Sequence, residues 1–329
     1  MKKISIILAA MAAVAGLSSC KKDFGAEQTR IATQNGEKCE LTIGISGTAT
    51  KATNVSSADE TKVSTLQVLV FNGDNLDAYG SVSNATSITL SCTSGSRSVY
   101  ALVNASDMSS IASKKDLLAQ VSELSNNSVG SFEMIGSKDV TLPQTATVNI
   151  PVNRIASRVV VKKITRNFTA QALQSLDFKV NRIFLMNVAG DINYGLTESP
   201  STWYHKLGFN SPNSELAYDE LSKTLANGAS YSTTHYLYGY PNSFSDSSDK
   251  TWSERRTRLV VECTLGSDTV YYPIVLPEME SNKSYEIDEI TITRRGSDDP
   301  LTLVEYSDCT FSISVADWTV VTVTDGITI

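Results

Sequence analysis

The chain has 329 residues, 41% of them hydrophobic, and a formal net charge of -7. That length suits about two domains with real buried cores, and the acidic balance argues against a general nucleic-acid binder, which would present a basic surface. There are two histidines, His205 and His235, and five cysteines with no CxxC spacing, so histidine-based catalysis and structural zinc have little to build on.

The chain opens on Lys2 and Lys3, an apolar run from Ile4 to Leu17, and small residues. Residues 1–19 read as a secretory signal peptide, too short and wrongly flanked for a stop-transfer helix. In "LSSC", Leu17 lies three residues before Cys20. This is similar to a bacterial lipobox, which implies cleavage before Cys20 and acylation of its thiol. Several acyl chains on one residue would hold a protein on a membrane durably. Residues 20–38 are polar and aperiodic, as a flexible tether is. Cys39, Cys92, Cys263 and Cys309 each adjoin an apolar run. Export permits disulfides, and buried free thiols are the simpler expectation.

Short strand patterns follow. In "CELTIGIS", Cys39, Leu41, Ile43 and Ile45 share one face. "LQVLVFN" (Leu66 to Asn72) is almost continuously apolar and stops at the turn signal Asn72-Gly73-Asp74. "SVYALVN" is another strand. "SKKDLLAQVSEL" predicts one helix, capped by Ser113, with Leu117, Leu118, Val121 and Leu124 as its apolar stripe. "DVTLPQTATVNIPV" is rich in Thr and Val, with Pro143 and Pro151 suited to strand ends or edges.

Beyond Pro151 a second series begins: "SRVVVKKI", "FKVNRIFLMNV", "RLVVECTL", "TVYYPIVL", "SYEIDEITITRR" and "CTFSISV" all read as strands between polar loops. The pattern is all-β with a minor helix, organised as two β-sandwiches, residues 39–152 and 153–329. The last stretch, "DWTVVTVTDGITI", reads as a strand. Val321, Val323, Ile327 and Ile329 share one parity, interrupted by Asp325.

No pattern points firmly to catalysis: the chain has no GxSxG, HExxH or P-loop. Asp298 and Asp299 read as a loop between strands, and Glu286, Asp288 and Glu289 as a strand's solvent face. Arg154, Arg158, Lys162, Lys163 and Arg166 read as a solvated strand face, and "SERRTR" as a charged loop. Trp203 and Tyr204 read as core packing.

In its order of features the chain resembles the fimbrillins of Bacteroidales, the FimA-type subunits of type V pili. The residues that carry the likeness are the lipobox and tether before "CELTIGIS", then "ATKATN" and "DETKVSTLQVLVFNGDN", then "SGSRSVYALVNAS", and finally "ITITRRGSDDP" and "CTFSISVADWTVV". The resemblance implies two transthyretin-like β-sandwich domains and a structural, non-enzymatic role without cofactors. It further implies export as an outer-membrane lipoprotein precursor, anchored to the membrane until a trypsin-like surface protease cuts it. That cut removes the lipidated segment and first strand, residues 39–50, and leaves a groove for a neighbour's strand. Of the basic residues near that strand, Arg30, Lys38, Lys51 and Lys62, a cut after Arg30 or Lys38 frees the lipid but keeps the strand, whereas the favoured cut after Lys51, before Ala52 in a small, polar segment, removes both. Leu41, Ile43 and Ile45 would be displaced, and Val321, Val323, Ile327 and Ile329 of the terminal strand 318–329 would replace them. The partners implied are other copies of the chain and accessory fimbrial subunits in an extracellular fimbrium that supports adhesion. Two alternatives stay open: an anchor or tip accessory subunit, and a glycan-binding surface lipoprotein using Trp203 and Trp252.

Overall fold

A computed structural model describes residues 36–47, 57–142, 145–303 and 309–318. The first half holds β1 (Lys38–Ser46), α1 (Ser57–Glu60), β2 (Thr65–Asn72), β3 (Asn75–Ser83), β4 (Ser87–Thr93), β5 (Gly95–Val103), α2 (Lys114–Ala119), β6 (Val121–Glu123), β7 (Met134–Leu142), β8 (Thr145–Pro151) and β9 (Asn153–Arg154). Two sheets face each other: β4-β1-β8 and β3-β2-β5-β7-β9. Leu41, Ile43, Leu90 and Ile150 from the first pack with Val68, Val70, Val99 and Ala101 from the second in one core.

The continuous apolar run of β2 has a direct cause. Leu66, Val68 and Val70 face the core between the two sheets, while Leu69 and Phe71 on the opposite face join the large core that continues into the second half. A strand buried on both faces cannot alternate with polar residues. The Asn72-Gly73-Asp74 turn leads into β3, with Gly73 at φ 61°, a conformation glycine adopts without steric cost.

The second half holds β10 (Ser157–Val161), β11 (Ile164–Arg166), α3 (Gln171–Gln174), β12 (Phe178–Met186), β13 (Val188–Ala189), β14 (Asp191–Asn193), β15 (Trp203–Tyr204), β16 (Tyr218–Thr224), β17 (Ser230–Tyr231), β18 (His235–Gly239), β19 (Arg258–Leu265), β20 (Asp268–Val275), β21 (Lys283–Ile287), β22 (Ile290–Ile292), β23 (Cys309–Thr310) and β24 (Ile313–Asp317). The order β18-β10-β21-β24 continues into β17-β11-β22-β23, and these strands pack across a core from β16-β12-β19-β20. The fold is β-sandwich throughout, as the alternation of short strands and polar loops implies.

Three sequence expectations are corrected. The helix stops at Ala119. Ser113 does cap it, its hydroxyl accepting from the Asp116 amide at 3.0 Å, but Gln120 is extended and Val121–Glu123 pairs antiparallel with β14. Val121, expected on the apolar stripe, is 53% exposed, because the segment bridges the two halves as a strand. Arg154, Arg158 and Arg166 are buried rather than solvated. Arg166 donates to the carbonyls of Leu173, Leu176 and Leu225, while Lys162 and Lys163 do reach solvent and pair with Glu286, Asp288 and Glu289. Within "SERRTR", Arg255 is fully buried and holds the carbonyls of Asp249, Thr251 and Ser253, so it organises its loop from inside. Charge counts alone could not reveal these roles, because an arginine that satisfies main-chain carbonyls looks in sequence like one that faces water.

The two facing sheets of the first half approach closely at Gly136 of β7. A Cβ there would lie 2.0 Å from the Pro151 carbonyl oxygen at the end of β8. That contact is with backbone and cannot be relieved by a rotamer change. Gly136→Ala is therefore expected to lower stability by about 2 kcal/mol through overpacking, read as a lower urea midpoint with unchanged slope. An unchanged midpoint would show that the sheets separate freely at this point.

Candidate functional site: the first-strand seat and the clasp beside it

The strand Lys38–Ser46 is the middle strand of its sheet. It pairs antiparallel with β4 from Lys38↔Thr93 to Gly44↔Ser87 and parallel with β8 from Glu40↔Thr145 to Ser46↔Pro151. Leu41 and Ile43 are fully buried, Cys39 is buried, and Ile45 is half-buried at the rim. The seat is closed at both ends by main-chain bonds. Ser94 N donates to Glu37 O at 2.8 Å at one end, and Val152 N donates to Ser46 O at 2.8 Å at the other.

Removing β1 has a consequence that removing an edge strand lacks. Both β4 and β8 would gain a row of unpaired donors and acceptors, and the slot between them would be one strand wide. Leu41 and Ile43, with the smaller contributions of Cys39 and Ile45, bury apolar surface worth roughly 6 kcal/mol gross, and each backbone bond adds about 1 kcal/mol net.

At one end of the seat lies a buried pair, Asp77 and Arg97. The Arg97 Nε donates to Asp77 Oδ2 at 2.8 Å, and Asp77 also accepts from the Thr93 amide at 2.9 Å. Thr93 is the residue opposite Lys38, so this pair fixes the end of β4 against which β1 starts.

Beyond the other end, a second polar cluster ties the two halves together. Glu60, the last residue of α1, is fully buried. Its carboxylate accepts from Arg158 Nη1 at 3.0 and 3.2 Å, from the Tyr238 hydroxyl at 2.8 Å and from Trp318 Nε1 at 3.1 Å. Arg154 Nε donates to the Glu60 carbonyl at 3.0 Å, and Nη1 to the Trp318 carbonyl at 3.3 Å. The Arg154 guanidinium lies 4.5 Å from the centre of the Trp318 ring, which packs against both Phe132 and Tyr238. Burial pushes the Arg154 guanidinium down to about 10, and burial together with the Glu60 carboxylate raises the Tyr238 hydroxyl. This clasp joins the segment after β1 to Trp318, the residue that follows β24. Sequence reasoning missed it. Arg154 and Arg158 were visible as a basic cluster beside an apolar strand, but Glu60 carries no local signal of burial.

A cleft of about 390 Å³ adjoins the clasp, lined by Ile135, Arg154, Ile155, Leu196, Asn282 and Asp317 among others. Asp317 pairs there with Lys283.

Of the residues singled out from sequence, the structure thus brings Leu41, Ile43 and Ile45 into one strand. Cys20, Lys51 and Ala52, and Val321, Val323, Ile327 and Ile329, lie outside the described residues. Trp203 is buried and Trp252 half-buried, their rings 5.3 Å apart, so these two pack on each other rather than forming an open aromatic platform. Among the described residues no group of three or more His, Cys, Asp or Glu side chains could hold a metal ion.

The architecture defines a class, a two-sandwich β-protein whose first strand is a buried middle strand. Comparison with known proteins narrows this. The family profile described as "Major fimbrial subunit protein (FimA)" matches residues 38–154. The major fimbrium subunit FimA type-2 of Porphyromonas gingivalis is 23% identical over 259 residues, spanning 72% of this chain and 62% of that protein. The chain thus covers less than two thirds of that relative. Among solved structures, a Bacteroides eggerthii protein described as a cell adhesion protein superposes with TM-score 0.67 at 17% identity, covering 87% of this chain and 97% of that one. A fimbrilin from Porphyromonas gingivalis superposes with TM-score 0.65 at 15% identity, covering 86% and 98%. At these identities the structural likeness speaks to the fold. Both sequence matches are to major fimbrial subunits, over residues 38–154 for the profile and 259 residues for the relative.

Replacing Glu60 by Gln removes the charge that compensates Arg158 in a buried setting. The expected cost is about 3 kcal/mol, measured by urea unfolding followed through tryptophan fluorescence, to which Trp318 contributes beside Trp203 and Trp252. A loss below about 0.5 kcal/mol would mean that the clasp contributes no stability.

Proposed function

We propose that the chain is a structural subunit of a surface fimbria, with no catalytic role, and that it assembles by strand exchange. The observation that carries this reading is the placement of β1, a fully paired middle strand with Leu41 and Ile43 in the core. It is preceded in sequence by a lipobox-like leader and followed by Lys51. The reading is that residues 1–19 direct export, Cys20 is acylated, and the precursor is anchored in the outer membrane. A trypsin-like surface protease then cuts between Lys51 and Ala52, in a segment of small and polar residues suited to proteolysis. The strand leaves, and the mature part joins other copies and accessory subunits in an extracellular fimbrium that supports adhesion. Residues 39–152 and 153–329 act as its two domains.

The occupant of the vacated seat is residues 318–329 of a neighbouring copy. Strand addition supplies main-chain bonds for affinity and side-chain seats for register. Direction can be argued from Asp325. If the incoming strand runs as β1 does, Thr319, Val321 and Val323 take the seats of Cys39, Leu41 and Ile43, and Asp325 falls at the half-buried seat of Ile45. Ile327 and Ile329 then lie beyond Ser46. In the reverse direction, Val321 and Val323 on the Ile43 and Leu41 seats put Asp325 at the buried Cys39 seat. A carboxylate there is costly to desolvate. The same direction as β1 therefore favours one register.

Trypsin treatment of the purified full chain, with sequencing of the new N-terminus and SDS gels of unheated samples, tests this. The expected result is a terminus at Ala52 together with ladders of multimers, and a Lys51→Gln chain that yields neither. Stable monomers after a confirmed cut at Lys51 under reducing conditions would refute strand exchange.

A further inference from the structure

Cys39 and Cys92 stand directly opposite each other across the β1–β4 ladder. Their Sγ atoms are 3.7 Å apart, and both side chains are buried in the core of the first sandwich. Directly opposed residues of an antiparallel pair have Cα atoms about 4.5–5.5 Å apart, inside the range of about 4.4–6.8 Å that a disulfide spans. Bond formation requires the two sulfurs to close to about 2.05 Å, a movement small enough for side-chain rotation. We propose that Cys39 and Cys92 are a disulfide-forming site that, when oxidised, ties the first strand covalently to β4.

The position gives the bond its consequence. Cys39 belongs to the strand read above as removable, Cys92 to the strand that stays, and Lys51 and Lys62 lie between them in sequence. A cut after Lys51 opens the chain, yet the oxidised segment remains attached through Cys92. The strand is then held at its own seat as an intramolecular competitor, and the effective concentration of a tethered strand exceeds that of a free neighbour. In the reduced form the same cut leaves only non-covalent contacts. Regulation of assembly by this bond rests on the strand-exchange reading; formation of the bond does not.

The chemistry balances with a disulfide oxidant of the small-molecule or thiol-oxidoreductase class, RSSR, as available in an oxidising exported compartment. The Cys39 thiolate attacks RSSR and releases RS⁻. The Cys92 thiolate then attacks the Cys39 sulfur of the mixed disulfide and releases the second RS⁻. Two protons and two electrons leave the protein, and RSSR is reduced to two RSH. Burial and the contact with Cys39 raise the Cys92 thiol to about 12, which keeps it protonated in the closed sheet. Oxidation therefore proceeds when the Lys38 end of the ladder opens, or before the strand docks. Cys39 lies one rung from that end, which suits it to such opening.

The experiment uses the full chain equilibrated with oxidised glutathione or with dithiothreitol. Free thiols are alkylated, and tryptic peptides are mapped by mass spectrometry without reduction. The oxidised sample should yield the peptide 39–51 linked to the peptide 63–97, and the reduced sample should yield both alkylated. In parallel, each sample is cut with trypsin and run on unheated gels. At least ten-fold less multimer is expected from oxidised protein, restored by dithiothreitol, whereas Cys92→Ser should give equal multimer in both conditions. Absence of the linked peptide from oxidised protein would overturn the proposal. A linked peptide with equally abundant multimer in both states would leave the bond standing and overturn its control of assembly. A linked peptide with multimer in neither state would support the bond and refute the strand-exchange reading instead.

Discussion

A sheet cannot lose its middle strand and stay a sheet. That constraint organises the first half of this protein. β1 satisfies two ladders at once, antiparallel to β4 and parallel to β8, and its inward side chains complete a core that the five-stranded sheet cannot close alone. An edge strand could depart and leave one row of polar groups to water. A middle strand leaves two such rows and an apolar slot, and only another strand restores both. The first strand is at once essential to the fold and, in physical terms, replaceable, because what the seat demands is an alternating apolar strand of matching length rather than one particular sequence.

The second half repeats the arrangement with a difference. β10 also lies between an antiparallel and a parallel neighbour, β18 and β21, and all five of its residues are buried. It begins soon after the junction, at Ser157, and is followed by β11 at Ile164. β24 adds a fourth strand beyond β21 and ends at Asp317, one residue before the clasp. Glu60, Arg154, Arg158, Tyr238 and Trp318 draw together the segment after β1, the junction and the base of the last segment. A carboxylate with three donors in a dry site is costly to bury and costlier to leave half-paired. The cluster therefore specifies one arrangement of the two halves more than it adds net stability.

Much of this was legible in the residues. The alternation of Cys39, Leu41, Ile43 and Ile45 marked a strand with one buried face, and the unbroken apolar run of β2 marked a strand covered on both sides. The Ser113 cap was real, but the stripe drawn through Val121 and Leu124 failed. Helical spacing over so short a run does not exclude a strand followed by a turn, and pairing with β14, a partner about seventy residues on, decided the matter. The arginines failed for a different reason. Arg154, Arg158, Arg166 and Arg255 are buried because main-chain carbonyls, a carboxylate and aromatic rings converge on them from distant parts of the chain. No local pattern encodes such convergence. Glu60 is the clearest case, since its partners lie at positions 158, 238 and 318.

Assembly by strand exchange turns on which strand occupies the seat between β4 and β8 once the chain is processed. The most direct measurement is a cryo-electron microscopy map of the assembled, processed protein at side-chain resolution. Strand exchange predicts a strand there that runs in the direction of β1, carries the side chains of Thr319 to Asp325, and connects to Trp318 of an adjacent copy. A seat filled by residues 38–46 of the same chain, or left empty, would contradict it.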